Sequence, residues 1–74
     1  MTDANESLMY KLAAEYLRAL IEDGTLTPGQ AVPSVTALNA RTRWPLVTCT
    51  RALRYLNEQG VLTRYPGLGY YVPA

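Results

Sequence analysis

Five arginines, Arg41, Arg43, Arg51, Arg54 and Arg64, supply all the positive charge of residues 31–74, where Glu58 is the one acid. Residues 1–30 invert the balance, setting Lys11 and Arg18 against Asp3, Glu6, Glu15, Glu22 and Asp23. The formal net charge of +1 hides this asymmetry. A guanidinium-bearing segment joined to an acidic one gives the molecule one face suited to a polyanion. Arg51 and Arg54 stand three apart, on one side of any helix that holds them. With Thr48 and Thr50 they offer hydrogen bonds to phosphates and base edges. Each arginine also has an internal alternative: Arg51 with Glu15 or Glu22, and Arg54 with Glu58 four residues on.

Chemistry of other kinds lacks its residues. There is no histidine, the serines are Ser7 and Ser34, and Cys49 is the single cysteine. That excludes a disulfide framework, a Cys/His zinc site and a histidine-based nucleophile or acid–base pair. Glu15, Glu22 and Asp23 read as a solvated helix face, not as carboxylates in a cleft. No catalytic residue, metal or cofactor is assigned, and the chain is not expected to be an enzyme.

Seventy-four residues hold one small domain, assigned to 1–74. Apolar residues make up 49% and charged residues 18%, against roughly 25% charged in ordinary globular domains. An under-charged surface on so small a domain points to apolar surface covered by a partner. The longest apolar stretch, Leu8 to Ile21, is interrupted by Lys11, Glu15 and Arg18 and cannot span a bilayer. No signal peptide precedes it, so an intracellular protein without membrane contact is expected.

Asp3-Ala4-Asn5-Glu6 has capping-box spacing and opens a predicted helix that runs to about Glu22 or Asp23, where Gly24 stops it. Thr27-Pro28-Gly29 is a turn signal. Pro33-Ser34 opens a shorter helix through about Arg41, with Val35, Ala37 and Leu38 inward. Pro45 restarts the chain, and Leu46 to Gln59 reads as a third helix, closed by Gly60, whose core stripe is Cys49, Ala52, Leu53 and Leu56. Val61 to Tyr65 alternates as a strand, Pro66-Gly67-Leu68-Gly69 turns the chain, and Tyr70-Tyr71-Val72 returns. A short pairing near Ala31–Val32 onto this hairpin completes the expectation. The fold class is mainly α with a small β-hairpin: a helix-turn-helix unit with the hairpin where a wing would lie.

The ordered motifs resemble those of the GntR-type winged helix-turn-helix DNA-binding domain. They are Leu17-Arg18-Ala19-Leu20-Ile21, Gly24-Thr25-Leu26-Thr27-Pro28-Gly29, Val32-Pro33-Ser34, Thr48-Cys49-Thr50-Arg51-Ala52-Leu53, Leu56 to Leu62, and Pro66-Gly67-Leu68-Gly69-Tyr70-Tyr71-Val72. The resemblance spans residues 10–72 without a gap. It implies a third helix in the major groove, a wing against backbone or minor groove, and double-stranded DNA as partner. Three departures stand out. A duplex-gripping arginine of the family is Thr36 here; its Gly-Val-Ser-Arg is Arg43-Trp44-Pro45-Leu46; and its next arginine is Thr50. The effector or oligomerisation domain that ordinarily follows the wing is not part of this sequence.

The duplex-binding residues expected from both readings are Thr36, Arg43, Leu46, Val47, Thr48, Thr50, Arg51, Arg54, Arg64, Gly67 and Gly69. Gly67 and Gly69 are turn glycines whose small size also permits close approach to a backbone. Leu46 and Val47 either meet thymine methyls or form, with Trp44, an apolar patch for a protein partner. Trp44 is otherwise a core residue, as is Cys49. The first helix carries two apolar rows: Met9, Ala13, Leu17 and Ile21 facing the domain, and Leu8, Leu12, Tyr16, Ala19 and Leu20 facing outward. The outward row predicts a homodimer seam, unless it folds back under Tyr70 and Val72. The expected protein is thus a cytoplasmic, nucleoid-associated transcriptional regulator or mobile-element accessory factor, most simply a dimeric repressor. The alternative is an adaptor or inhibitor that binds protein through the altered third helix.

Overall fold

The computed structural model describes the backbone of residues 4–74 and the side chains from Leu8 onward. The expected Asp3–Glu6 capping box lies outside the described residues. Three helices, α1 (Ala4–Glu22), α2 (Val35–Thr42) and α3 (Leu46–Glu58), precede two strands, β1 (Thr63–Tyr65) and β2 (Gly69–Tyr71).

Each boundary has a local cause. Gly24 and Gly60 adopt positive φ where α1 and α3 end. Ser34 caps α2, its Oγ accepting from the Ala37 N–H at 3.1 Å. Helix α3 begins at Leu46 with Pro45 as its N-cap, which brings no side-chain bond to the first turn. The helix closes at Glu58, one residue earlier than expected, with Gln59 as C-cap. The first strand is also shorter than its alternation suggested. The Val61 and Leu62 N–H groups both donate to the Leu56 carbonyl, at 2.9 and 3.2 Å, so these residues finish α3 instead of joining a ladder. The Asn57 amide steadies the same turn by donating to the Leu62 carbonyl at 3.0 Å.

The core forms where α1 and α2 both lie against α3. Ala13, Ala14 and Leu17 come from α1, Leu38 from α2, and Cys49, Ala52, Leu53 and Leu56 from α3. Leu26, Val32, Leu62 and Val72 close its remaining side. Burial pushes the Cys49 thiol above its ordinary range. Asp23 shifts the other way: the Thr25 hydroxyl and the Thr25 N–H, the latter at 2.8 Å, favour its ionised form just past the end of α1.

β1 and β2 pair antiparallel with Thr63 opposite Tyr71, Arg64 opposite Tyr70 and Tyr65 opposite Gly69. The turn between them is Tyr65-Pro66-Gly67-Leu68, closed by the Leu68 N–H on the Tyr65 carbonyl at 2.9 Å. Proline second and a residue of φ 82° third make it a type II turn, and the third place needs glycine for that φ. An added Cβ at Gly67 would meet nothing within 4 Å, so backbone conformation, not crowding, explains this residue.

The short pairing near Ala31 is present. Ala31 bridges Tyr71, and three backbone bonds of 2.8–2.9 Å run from Gly29 N–H to Val72, from Val32 N–H to Tyr70 and from Val72 N–H to Gln30. They clasp the α1–α2 connection to the return strand and fix the wing's base without any side chain.

Candidate nucleic-acid interface

Helix α3 has two unlike arcs. Thr48, Cys49, Ala52, Leu53 and Leu56 are buried, while Leu46, Val47, Thr50, Arg54, Asn57 and Glu58 lie on the other side, exposed or half-exposed. Thr48 therefore leaves the expected set of duplex-facing residues. It is 1% exposed, because it lies four residues before Ala52 and eight before Leu56 on the packed side. Thr50 is half-exposed, and its hydroxyl donates to the Leu46 carbonyl at 2.9 Å.

Arg51 sits at the edge between the arcs. Its guanidinium lies 4.4 Å from the centroid of the Tyr10 ring, and that ring meets Tyr55 edge-on at 5.5 Å. A cation–π contact with α1 thus stands where a carboxylate partner had been one alternative. Neither Glu15 nor Glu22 pairs with Arg51, and Glu58 does not pair with Arg54. Among the described residues the ion pair is Arg18 to Glu15, at 3.8 Å on α1. Tyr10 was invisible as a partner in the sequence, since forty positions separate it from Arg51 and only the packing of α1 on α3 joins them.

Two hollows flank the exposed arc. Tyr10, Arg51, Arg54, Tyr55 and Glu58 line one of about 180 Å³ between α1 and α3. Thr50, Arg54, Asn57, Glu58, Arg64 and Tyr70 line another of about 380 Å³ between α3 and the wing. Arg54 borders both. The second hollow joins residues of the third helix and the wing that sequence spacing alone does not connect.

Arg43 stands at the C-cap of α2 with φ 68°, donating its N–H to the Asn39 carbonyl at 2.8 Å. A left-handed arginine is uncommon and costs about 1 kcal/mol relative to glycine. The chain accepts that cost at the end of α2 and places an exposed guanidinium there. Thr36 is exposed in the first turn of α2. Gly67 and Gly69 are exposed at the wing tip beside Leu68, which is 72% exposed and was not singled out from sequence. Arg64 points from an exposed position on β1.

Trp44 is half-buried, its ring edge-on to Tyr16 at 5.7 Å. It does not extend the apolar pair Leu46–Val47 into a single exposed patch. The outer row of α1 also divides. Leu8, Leu12 and Ala19 are exposed, whereas Tyr16 and Leu20 pack against the core and are not free for a seam. Tyr70 and Val72 do not cover the exposed part.

Three helices, the last presenting an open arc beside a two-stranded wing, define a winged helix-turn-helix domain. The family model for bacterial regulatory proteins of the gntR family matches residues 9–72, and the chain belongs to that family. It is 39% identical over 64 residues to the mannosyl-D-glycerate transport/metabolism system repressor MngR of Escherichia coli (strain K12). That match takes in 86% of this chain but 27% of MngR, so the chain spans about a quarter of the relative's length. Among solved structures it is similar to YtrA from Sulfolobus acidocaldarius, a GntR-family transcription factor, with TM-score 0.78, 29% identity, and coverage of 88% of this chain and 68% of that one. It is also similar to the DNA-binding domain of AraR in complex with operator ORR3, with TM-score 0.80, 26% identity, and coverage of 86% and 77%. Among the described residues no helix is long and apolar enough to cross a membrane.

Proposed function

We propose that residues 1–74 act as one sequence-specific duplex-DNA-binding domain of a transcriptional regulator, a repressor that works by occupying its site. The observation that carries this reading is the hollow in which Arg54 and Thr50 of α3 meet Arg64 and Tyr70 of the wing. It gives a duplex one place where base edges and backbone are within reach of adjoining elements. The bound operator of AraR and the repressor role of MngR support the reading by kinship. Thr36, Arg43, Leu46, Val47, Thr50, Arg51, Arg54, Arg64 and the wing glycines form the contact set, and the nucleoid is the corresponding location. Four arginines per protomer, Arg43, Arg51, Arg54 and Arg64, set the salt response: log affinity should fall with log salt at a slope of about −3 to −4 per protomer. Anisotropy titrations of duplex fragments between low and physiological salt measure it. No binding at low salt removes the proposal.

The same domain works as a homodimer through the exposed part of α1, Leu8, Leu12 and Ala19. Removing apolar surface from water, at roughly 25 cal/mol per Å² before association costs, supplies the drive. A two-fold pair aligns two third helices along one duplex. Sedimentation across micromolar concentrations should give a dimer for the wild type and a folded monomer for Leu12→Glu. A wild-type monomer throughout removes the dimer; a variant that dimerises as well as the wild type moves the seam to the wing.

A further inference from the structure

The exposed arc of α3 begins without a charge. Leu46 and Val47 are 52% and 54% exposed. The adjacent Trp44 turns inward onto Tyr16, so the pair is a small isolated surface and not the rim of a larger one. One turn on, Thr50 has its hydroxyl proton engaged by the Leu46 carbonyl. Its oxygen remains an acceptor. The next exposed side chain on this arc that carries a positive charge is Arg54, two turns from the start. The first turn of the exposed arc therefore holds no side-chain donor for guanine O6 and N7; the half-exposed Arg51, held over the Tyr10 ring, lies beyond it.

A major groove offers one apolar group, the C5 methyl of thymine. The exposed apolar pair at the helix start fits that group. Arg43 before the pair and Arg54 after it are both exposed, and neither is engaged by an ion pair among the described residues. Positive charge thus brackets the apolar segment along the chain, which suits a polyanion lying across it better than a protein surface. We propose that Leu46 and Val47, with Thr50, are specificity determinants of this domain and that they read thymine methyl groups. The inference rests on the duplex binding proposed above and adds the base chemistry that is read.

The test uses the full chain and a randomised 24-base-pair duplex library made with thymidine. Selection at low salt should enrich thymine at one or two neighbouring positions of each half-site. Replacing those thymines singly with deoxyuridine removes the methyl and leaves every hydrogen-bonding edge in place. Affinity should then fall about fourfold per methyl, the worth of one buried methyl-sized group, with no comparable loss at thymines elsewhere in the duplex. In Leu46→Ala and Val47→Ala, both at exposed helical positions where alanine favours the helix, the thymidine-to-deoxyuridine ratio should approach one at the position each residue reads. Enrichment of guanine at those positions, or binding indifferent to deoxyuridine, overturns this inference alone. Failure to enrich any duplex overturns it together with the proposed function and leaves the apolar pair to a protein partner.

Discussion

Leu53→Ala should lower the thermal midpoint by roughly 10–30 °C. Leu53 is fully buried on α3 among side chains of the central core, and truncating such a leucine costs about 2–5 kcal/mol. A domain of this size holds only about 4–11 kcal/mol in total, and each kcal/mol moves its midpoint by about 4–8 °C. The helix itself does not suffer, since alanine has the higher helix propensity. The loss is one of packing. Leu68→Ala is the matched control: the same atoms are removed from an exposed wing tip, and the expected change is within about 0.5 kcal/mol. Thermal circular dichroism at one low protein concentration keeps any self-association out of the comparison. A midpoint for Leu53→Ala within a few degrees of the control would contradict the core described above.

Arg54→Ala should weaken duplex binding about tenfold at low salt and flatten the salt slope by about one unit. Arg54 is exposed, borders both hollows beside α3, and has no carboxylate partner to break when it is removed. Its loss should therefore leave stability nearly unchanged, which separates a binding effect from an unfolding one. Lys11→Ala provides the comparison, because Lys11 is an exposed cation on the acidic helix α1. Equal losses for the two variants would mean that bulk charge, not the place of Arg54, governs the interaction. An unchanged salt slope in Arg54→Ala would remove this residue from the phosphate contacts.

Punctuation made much of the fold legible in the chain itself. Pro45 and Gly60 bracket α3 to within a residue, and Ser34 with Pro33 opens α2 as expected. What periodicity misread has a common origin in helical geometry. Four-residue steps overshoot a full turn by about 40°, so a row drawn from Leu8 through Leu12 and Tyr16 to Leu20 rotates by about 120°. It starts in solvent and ends against the core, whereas Leu8, Glu15 and the interleaved Leu12 and Ala19 stay outward on seven-residue steps. The hydroxyl of Thr48 suits a duplex contact, but its position in the helix is that of a core residue. The contact of Arg51 with Tyr10 and the Arg54–Arg64 hollow depend on how separate elements meet, which no local pattern encodes.

The backbone clasp between residues 29–32 and 70–72 has a consequence for a chain emerging from the ribosome. All three helices are complete once residue 58 has been made, and the contacts of α1 and α2 with α3 lie within that stretch, while Leu62 and Val72 of the shared core are still to come. The connection at Gly29, Gln30 and Val32 gains its partners only when Tyr70 and Val72 exist, some forty residues afterwards. Until then its peptide groups face water and the place of the buried Val72 is open. Synthesis thus delivers a helical unit first and its wing last, with closure of a long loop as the concluding event. A nascent chain halted before residue 70 would hold α3 without the neighbour that completes the groove beside it.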